Sequence, residues 1–130
     1  MSRGLLLDSH AFLWAASEPE RLTPEIRGLL ESETSKLYLS SATVWELLIK
    51  VRKKKIDLGG DPATKLQEYG KRLRVIPVHV SAQHLYQAFE LEGLHKDPFD
   101  RLLIAQAKIE RLTFVTRDQT IQKYNIETLW

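Results

Sequence analysis

Five acidic side chains stand out by where they fall in the chain: Asp8, Glu46, Asp97, Asp100 and Asp118. Asp8 closes the short apolar run Leu5-Leu6-Leu7, and Asp118 comes two residues after Thr116, which ends a second apolar run starting at Leu112. If both runs are strands of one parallel sheet, both carboxylates arrive at its carboxyl edge. Acids gathered there repel one another and hold their protons more tightly than usual. A hard divalent cation relieves that conflict; Mg²⁺ or Mn²⁺, which take oxygen ligands and keep waters for substrate chemistry, are the ions expected. The chain has no cysteine, and its four histidines (His10, His79, His84 and His95) include no pair at short ligand spacing, so a zinc site is not expected.

Each acid also has a structural role open to it. Asp8 can cap the helix that follows, and Asp118 a short turn over 119–123. Glu46 sits opposite the centre of the face formed by Val44, Leu47, Leu48 and Val51, where it can simply pair with Lys50 one turn on. In Asp97-Pro98-Phe99-Asp100, Asp97 is placed as N-cap and Pro98 as first helical residue. Asp97 already meets the capping need. Asp100 falls on the side of Leu103, Ile104 and Ala107 in a helix that is apolar almost all round, where a carboxylate is costly unless paired or bound to a cation. Asp97 is therefore read as structural, with contact to a metal left open, and Asp100 as functional.

The elements that must position these residues follow from periodicity. Apolar spacing predicts helices over 9–16, 24–33, 40–54, 62–72, 81–91 and 98–111, and strands over 4–7, 36–39, 74–78, 112–116 and 125–129. Pro77 assigns the third strand to an edge or to an early end. Strands alternating with helices imply right-handed crossovers and a parallel sheet covered on both faces, with ligand sites beyond the strand carboxyl ends. At 130 residues with 43% hydrophobic content, the chain is expected to form a single domain over 1–130. The longest apolar run, 11–16, is far short of the roughly 18 residues of a membrane span, and the N-terminus breaks off too soon for a signal-peptide core. A cytoplasmic protein with no membrane partner is the expectation. The net charge of +2 does not by itself call for a polyanion.

Four stretches together resemble the PIN-domain family, and within it the VapC-like toxins of toxin–antitoxin pairs. They are Leu6-Leu7-Asp8-Ser9-His10, Ser40-Ser41-Ala42-Thr43-Val44-Trp45-Glu46-Leu47, the run from Lys96-Asp97-Pro98-Phe99-Asp100 through Arg101-Leu102-Leu103-Ile104-Ala105-Gln106-Ala107, and Phe114-Val115-Thr116-Arg117-Asp118. The third is the most specific. The resemblance implies a three-layer α/β/α fold with a central parallel sheet and an Mg²⁺- or Mn²⁺-dependent endoribonuclease. Its family roles fall on Asp8, Glu46, Asp100 and Asp118, with Ser9, Ser41 and Thr116 at positions that support the acids. Asp8 and Asp100 are read as direct metal ligands; Glu46 and Asp118 as ligands, as partners through water, or as groups orienting the attacking water. It also implies an RNA substrate, a homodimer and a cognate antitoxin whose peptide occupies the acidic groove.

Such a site needs cations as well as acids, because carboxylates repel RNA. Lys50-Val51-Arg52-Lys53-Lys54-Lys55 places five cations in six positions just beyond Glu46, either as a solvated helix end or as a track for phosphates. Arg101 and Arg117, each beside a proposed acid, are candidates for phosphate contact or internal salt bridges, while Trp14 and Trp45 are read as core or interface residues. Two readings from other classes compete. A non-catalytic PIN-like scaffold that binds RNA or protein would not need all four acids. A phosphoacceptor receiver domain would show paired acids after its first strand, where this chain has Asp8 followed by Ser9. A DNA-cleaving nuclease would use the same acids.

Overall fold

The computed structural model describes residues 3–130. Five strands, β1 (Leu5–Leu7), β2 (Leu37–Ser40), β3 (Ile76–Val78), β4 (Thr113–Val115) and β5 (Thr128–Leu129), form one sheet in the order β3-β2-β1-β4-β5, parallel throughout. Between them run α1 (Ser9–Ser17), α2 (Pro24–Glu31), α3 (Ser41–Arg52), α4 (Pro62–Leu73), α5 (Ala82–Glu90) and α6 (Pro98–Glu110), with 3₁₀ turns at Pro19–Arg21 and Ile121–Lys123. This is the expected three-layer α/β arrangement, and β3, which carries Pro77, is an edge strand as expected. No helix among the described residues is long and apolar enough to cross a membrane.

The two-residue alternation of strands divides the core. Leu5 and Leu7 of β1, Leu37 and Leu39 of β2 and Val115 of β4 pack against Phe12 and Trp14 of α1, Ile26 and Leu30 of α2, and Leu66 and Tyr69 of α4. Leu6 and Phe114 point the other way, onto Leu103, Ile104 and Ala107 of α6, with Leu112, Ile121 and Tyr124 closing that layer. Because both faces are covered, β1 is buried at every position, which is why it carries an unbroken apolar run.

Several helix ends differ from the expected ones. Helix α3 stops at Arg52, two residues before the expected end, because Lys54 adopts a left-handed φ of 58° and the Lys55 N–H bonds back to the Lys50 carbonyl (2.9 Å). The same motif ends α4 at Arg74 and α6 at Arg111. This reversal usually falls to glycine, so nothing in the residue types marked these stops.

Candidate active site

The strand order sets the place of the site. The chain runs from β1 outward to β2 and β3, then returns to lay β4 on the other side of β1. A crevice forms at such a reversal, beyond the strand carboxyl ends. Asp8 follows β1 directly, and Thr116, Arg117 and Asp118 follow β4. Glu46 reaches in from α3, while Asp97 and Asp100 come from the start of α6. All five acids line one cavity of about 400 Å³, together with Ser9, Lys50 and Arg117.

Local capping fixes most of these carboxylates. Asp8 Oδ1 accepts from the Ala11 N–H (2.7 Å) at the start of α1. Asp97 Oδ1 accepts from the Phe99 (2.8 Å) and Asp100 (3.1 Å) N–H groups at the start of α6. Asp118 Oδ1 accepts from Thr120 (2.8 Å) and Ile121 (3.2 Å). In each case one oxygen serves a cap, so the structural roles and the gathering of acids coexist. Glu46 likewise does both. It meets Lys50 at 3.8 Å, yet its side chain is only 13% exposed.

The electrostatics of the cavity are those of crowded, partly buried acids. Burial raises the Asp100 carboxyl to about 7, with Asp97, Glu46 and Asp118 adding to the rise and His95 opposing it. Burial also raises Asp8, against hydrogen bonds from the Ala11 N–H and the Thr116 hydroxyl. It raises Glu46 as well, where Asp97 and Asp8 add repulsion and Lys50 relieves it. Asp118 differs. Burial pushes it up, but hydrogen bonds from His95, Ile121 and Thr120 together hold it below the ordinary range. An oxygen-rich pocket in which Asp8, Glu46 and Asp100 resist ionisation is a donor set that suits a hard divalent ion.

The contact of His95 with two of these acids was not foreseen. His95 Nε2 lies 2.9 Å from Asp118 Oδ2 and 3.2 Å from Asp100 Oδ2. The three side chains offer ligand atoms within 4.8 Å of one another. The other ring nitrogen, Nδ1, accepts from the Asp97 N–H (3.2 Å). In the neutral ring the proton therefore sits on Nε2 and is donated to Asp118 Oδ2, with Asp100 Oδ2 close beside it. Acting as a ligand through Nε2 would require giving up the bond from Asp97. The ring as placed donates to Asp118 and lies against Asp100. The sequence signal was its position two residues before Asp97, the N-cap of the helix, where a preceding loop can fold back over the first turn.

Arg101 explains why that loop holds His95 in place. Among the described residues it neither lines the cavity nor pairs with an acid, contrary to both roles expected for it. Its guanidinium donates to the carbonyls of Ala88 (2.7 Å), Leu91 (2.8 Å), Glu92 (2.8 Å) and His95 (3.1 Å), satisfying the end of α5 and the loop after it. The Tyr124 hydroxyl adds to this by donating to the Glu92 carbonyl and accepting from the His95 N–H. Among the small hydroxyl positions, Ser9 and Thr116 are buried beside the acids, and Thr116 Oγ1 accepts from the Asp118 N–H (3.1 Å). Ser41 instead accepts from the Val80 N–H (3.1 Å). Of the five cations in 50–55, Lys50 lines the cavity; Arg52 and Lys53 flank an apolar groove with Trp45, which is 59% exposed. Trp14 is core.

Comparison with known proteins adds three findings. A family model described as "PIN domain" matches residues 5–127. Ribonuclease VapC22 of Mycobacterium tuberculosis (strain ATCC 25618 / H37Rv) is 26% identical over 120 residues, which span 92% of this chain and 91% of that protein. Two solved structures share the fold. VapBC2 from Rickettsia felis, bound to a DNA fragment from their promoter, has a TM-score of 0.74 at 20% identity, covering 97% of this chain and 98% of the other. FitAcB from Neisseria gonorrhoeae has a TM-score of 0.66 at 24% identity, covering 97% and 96%.

Proposed function

Because the chain belongs to the PIN-domain family, we propose that it is a single PIN domain acting as a Mg²⁺- or Mn²⁺-dependent endoribonuclease, the toxin of a toxin–antitoxin pair. The observation that carries this reading is the meeting of Asp8, Glu46, Asp100 and Asp118, distant in sequence, in one cavity where three of them are held above their ordinary pKa. A divalent ion held there would supply charge neutralisation for a phosphodiester and a more acidic water as nucleophile.

The residues divide the remaining work. Asp8 and Asp100 would hold the ion directly. Glu46 and Asp118 would complete its surroundings or orient the attacking water. His95 keeps Asp100 and Asp118 at a fixed separation. Lys50 and Arg117, on the cavity wall, offset the repulsion between the acids and an incoming phosphate. Asp97 serves first as the cap of α6.

The test is RNA cleavage by the purified chain with Mn²⁺, beside Asp8→Asn. Activity is expected to fall about 10³-fold, the scale for losing a group that stabilises transition-state charge. Equal cleavage by both proteins would overturn the reading. A protein that binds RNA without cutting it under any divalent ion would favour the scaffold alternative.

Partners follow from the same reading. An antitoxin is expected because the structural relatives include VapBC and FitAcB assemblies. A homodimer is supported by Leu85, Tyr86 and Phe89 on α5, which are 52, 72 and 87% exposed and make an apolar patch of the kind that marks protein contacts. Sedimentation that finds only monomer at micromolar concentration would remove the dimer.

A further inference from the structure

A second cavity, of about 630 Å³, adjoins the acidic one on its α1 side, within the size range of small-ligand pockets. Ser9, His10, Lys50 and Arg117 line both, so the two share a wall. The character changes across that wall. On the far side the indole of Trp14, 8% exposed, carries the guanidinium of Arg21 at 4.4 Å from its centroid and that of Arg117 at 4.9 Å. The rings of His10 (5.4 Å) and Trp130 (6.0 Å) hold the same indole. Arg21 reaches Glu18 at 3.2 Å in an exposed pair, whereas Arg117 makes no salt bridge among the described residues.

We propose that this cavity is a nucleotide subsite, taking the nucleoside that flanks the scissile phosphate. Its base stacks on the Arg21 guanidinium and the His10 ring, and Arg117 donates to the phosphate at the shared wall. The inference rests on the nuclease reading of the adjoining cavity. Single-stranded RNA is held by such means: bases splay out to stack on aromatic rings and guanidinium planes while cations follow the backbone. A guanidinium already fixed over an indole loses little freedom on meeting a base or phosphate. Arg117 has a further reason to bind an anion. It lines both cavities, and no carboxylate pairs with it among the described residues.

Filling the cavity tests this. Ser17 lines it, away from the acids, and its hydroxyl bonds only to the Leu13 carbonyl of its own helix. Ser17→Trp and Arg21→Ala are each placed in wild-type and Asp8→Asn backgrounds. In the inactive background, anisotropy of a labelled ten-nucleotide RNA is expected to show binding weakened about tenfold by either change, the scale of losing one stacked base. In the active background, KM for RNA should rise by a similar factor with kcat kept. Melting as the parent does shows that each variant folds; if Ser17→Trp does not, Arg21→Ala decides alone. Binding and KM within twofold of the parent overturn the subsite. Cleavage that is absent in wild type, with RNA binding still sensitive to Arg21, would remove the nuclease reading and leave the subsite standing.

Discussion

Leu7 and Asp8 are adjacent in the chain and live under opposite rules. Leu7 ends β1 with no exposed surface, packed between layers. Asp8 begins the acidic cavity, where burial works against its charge. The middle of the sheet gains stability from what it removes from water. Its carboxyl edge removes charge from water and is destabilised by doing so. A fold can carry such an edge only because the apolar middle exceeds what the molecule needs, and the edge is retained for the chemistry it permits.

If that contrast is right, substitutions a short way apart should move stability in opposite directions. Leu6, fully buried on the α6 side, should lose about 3 kcal/mol on conversion to alanine, in the usual range for a core leucine. Asp100→Asn, which removes a charge that burial and three neighbouring acids oppose, should raise the stability of metal-free protein at pH 8 by on the order of 1–2 kcal/mol. Cleavage should meanwhile collapse. Thermal or urea unfolding in EDTA reads both. A destabilised Asp100→Asn would mean that the carboxylate is needed to hold its surroundings together.

Titration sharpens the same point. The Asp100 carboxyl sits near 7 in the fold and near 4 in the unfolded chain, so between those values the folded protein binds the extra proton. Its contribution to stability is then full below about pH 4 and disappears as pH rises through about 7. Asp8 and Glu46, also raised, act in the same direction. Asp118, held low, acts in the other, its contribution fading only in acid. In EDTA the melting temperature should therefore fall from pH 5 to pH 8, and Asp100→Asn should flatten that slope. An unchanged slope in the variant would assign the effect elsewhere.

How much of this the sequence carried depends on whether the cause was local. The acids after β1 and β4 were readable because a short apolar run ending in aspartate has few meanings, and a parallel sheet brings such ends together. The cap at Asp97 was readable for the same reason, since Pro98 marks the first turn. The place of His95 was not. It depends on the Arg101 guanidinium and the Tyr124 hydroxyl binding backbone groups of the loop before α6, and no spacing rule encodes those bonds. Arg101 misled because an arginine beside an acid suggests charge, whereas its partners are neutral carbonyls. The strand order was also hidden: periodicity tells that strands are parallel, and says nothing of which lie side by side.

Thr43 tests where the border between the two regions runs. It lies three residues before Glu46 on α3, is wholly buried, and its hydroxyl has no hydrogen-bond partner among the described residues. A buried hydroxyl left unpaired costs about 1–3 kcal/mol, and valine keeps the branched shape without it. Ser40, equally buried, bonds the Ala42 N–H (3.0 Å) and has no such penalty to remove. If Thr43 belongs to the apolar region, Thr43→Val should gain about 1 kcal/mol and leave cleavage unchanged. A loss of stability would mean the hydroxyl is bonded, through water or a bound ion, and the acidic region reaches one turn before Glu46, toward the start of α3.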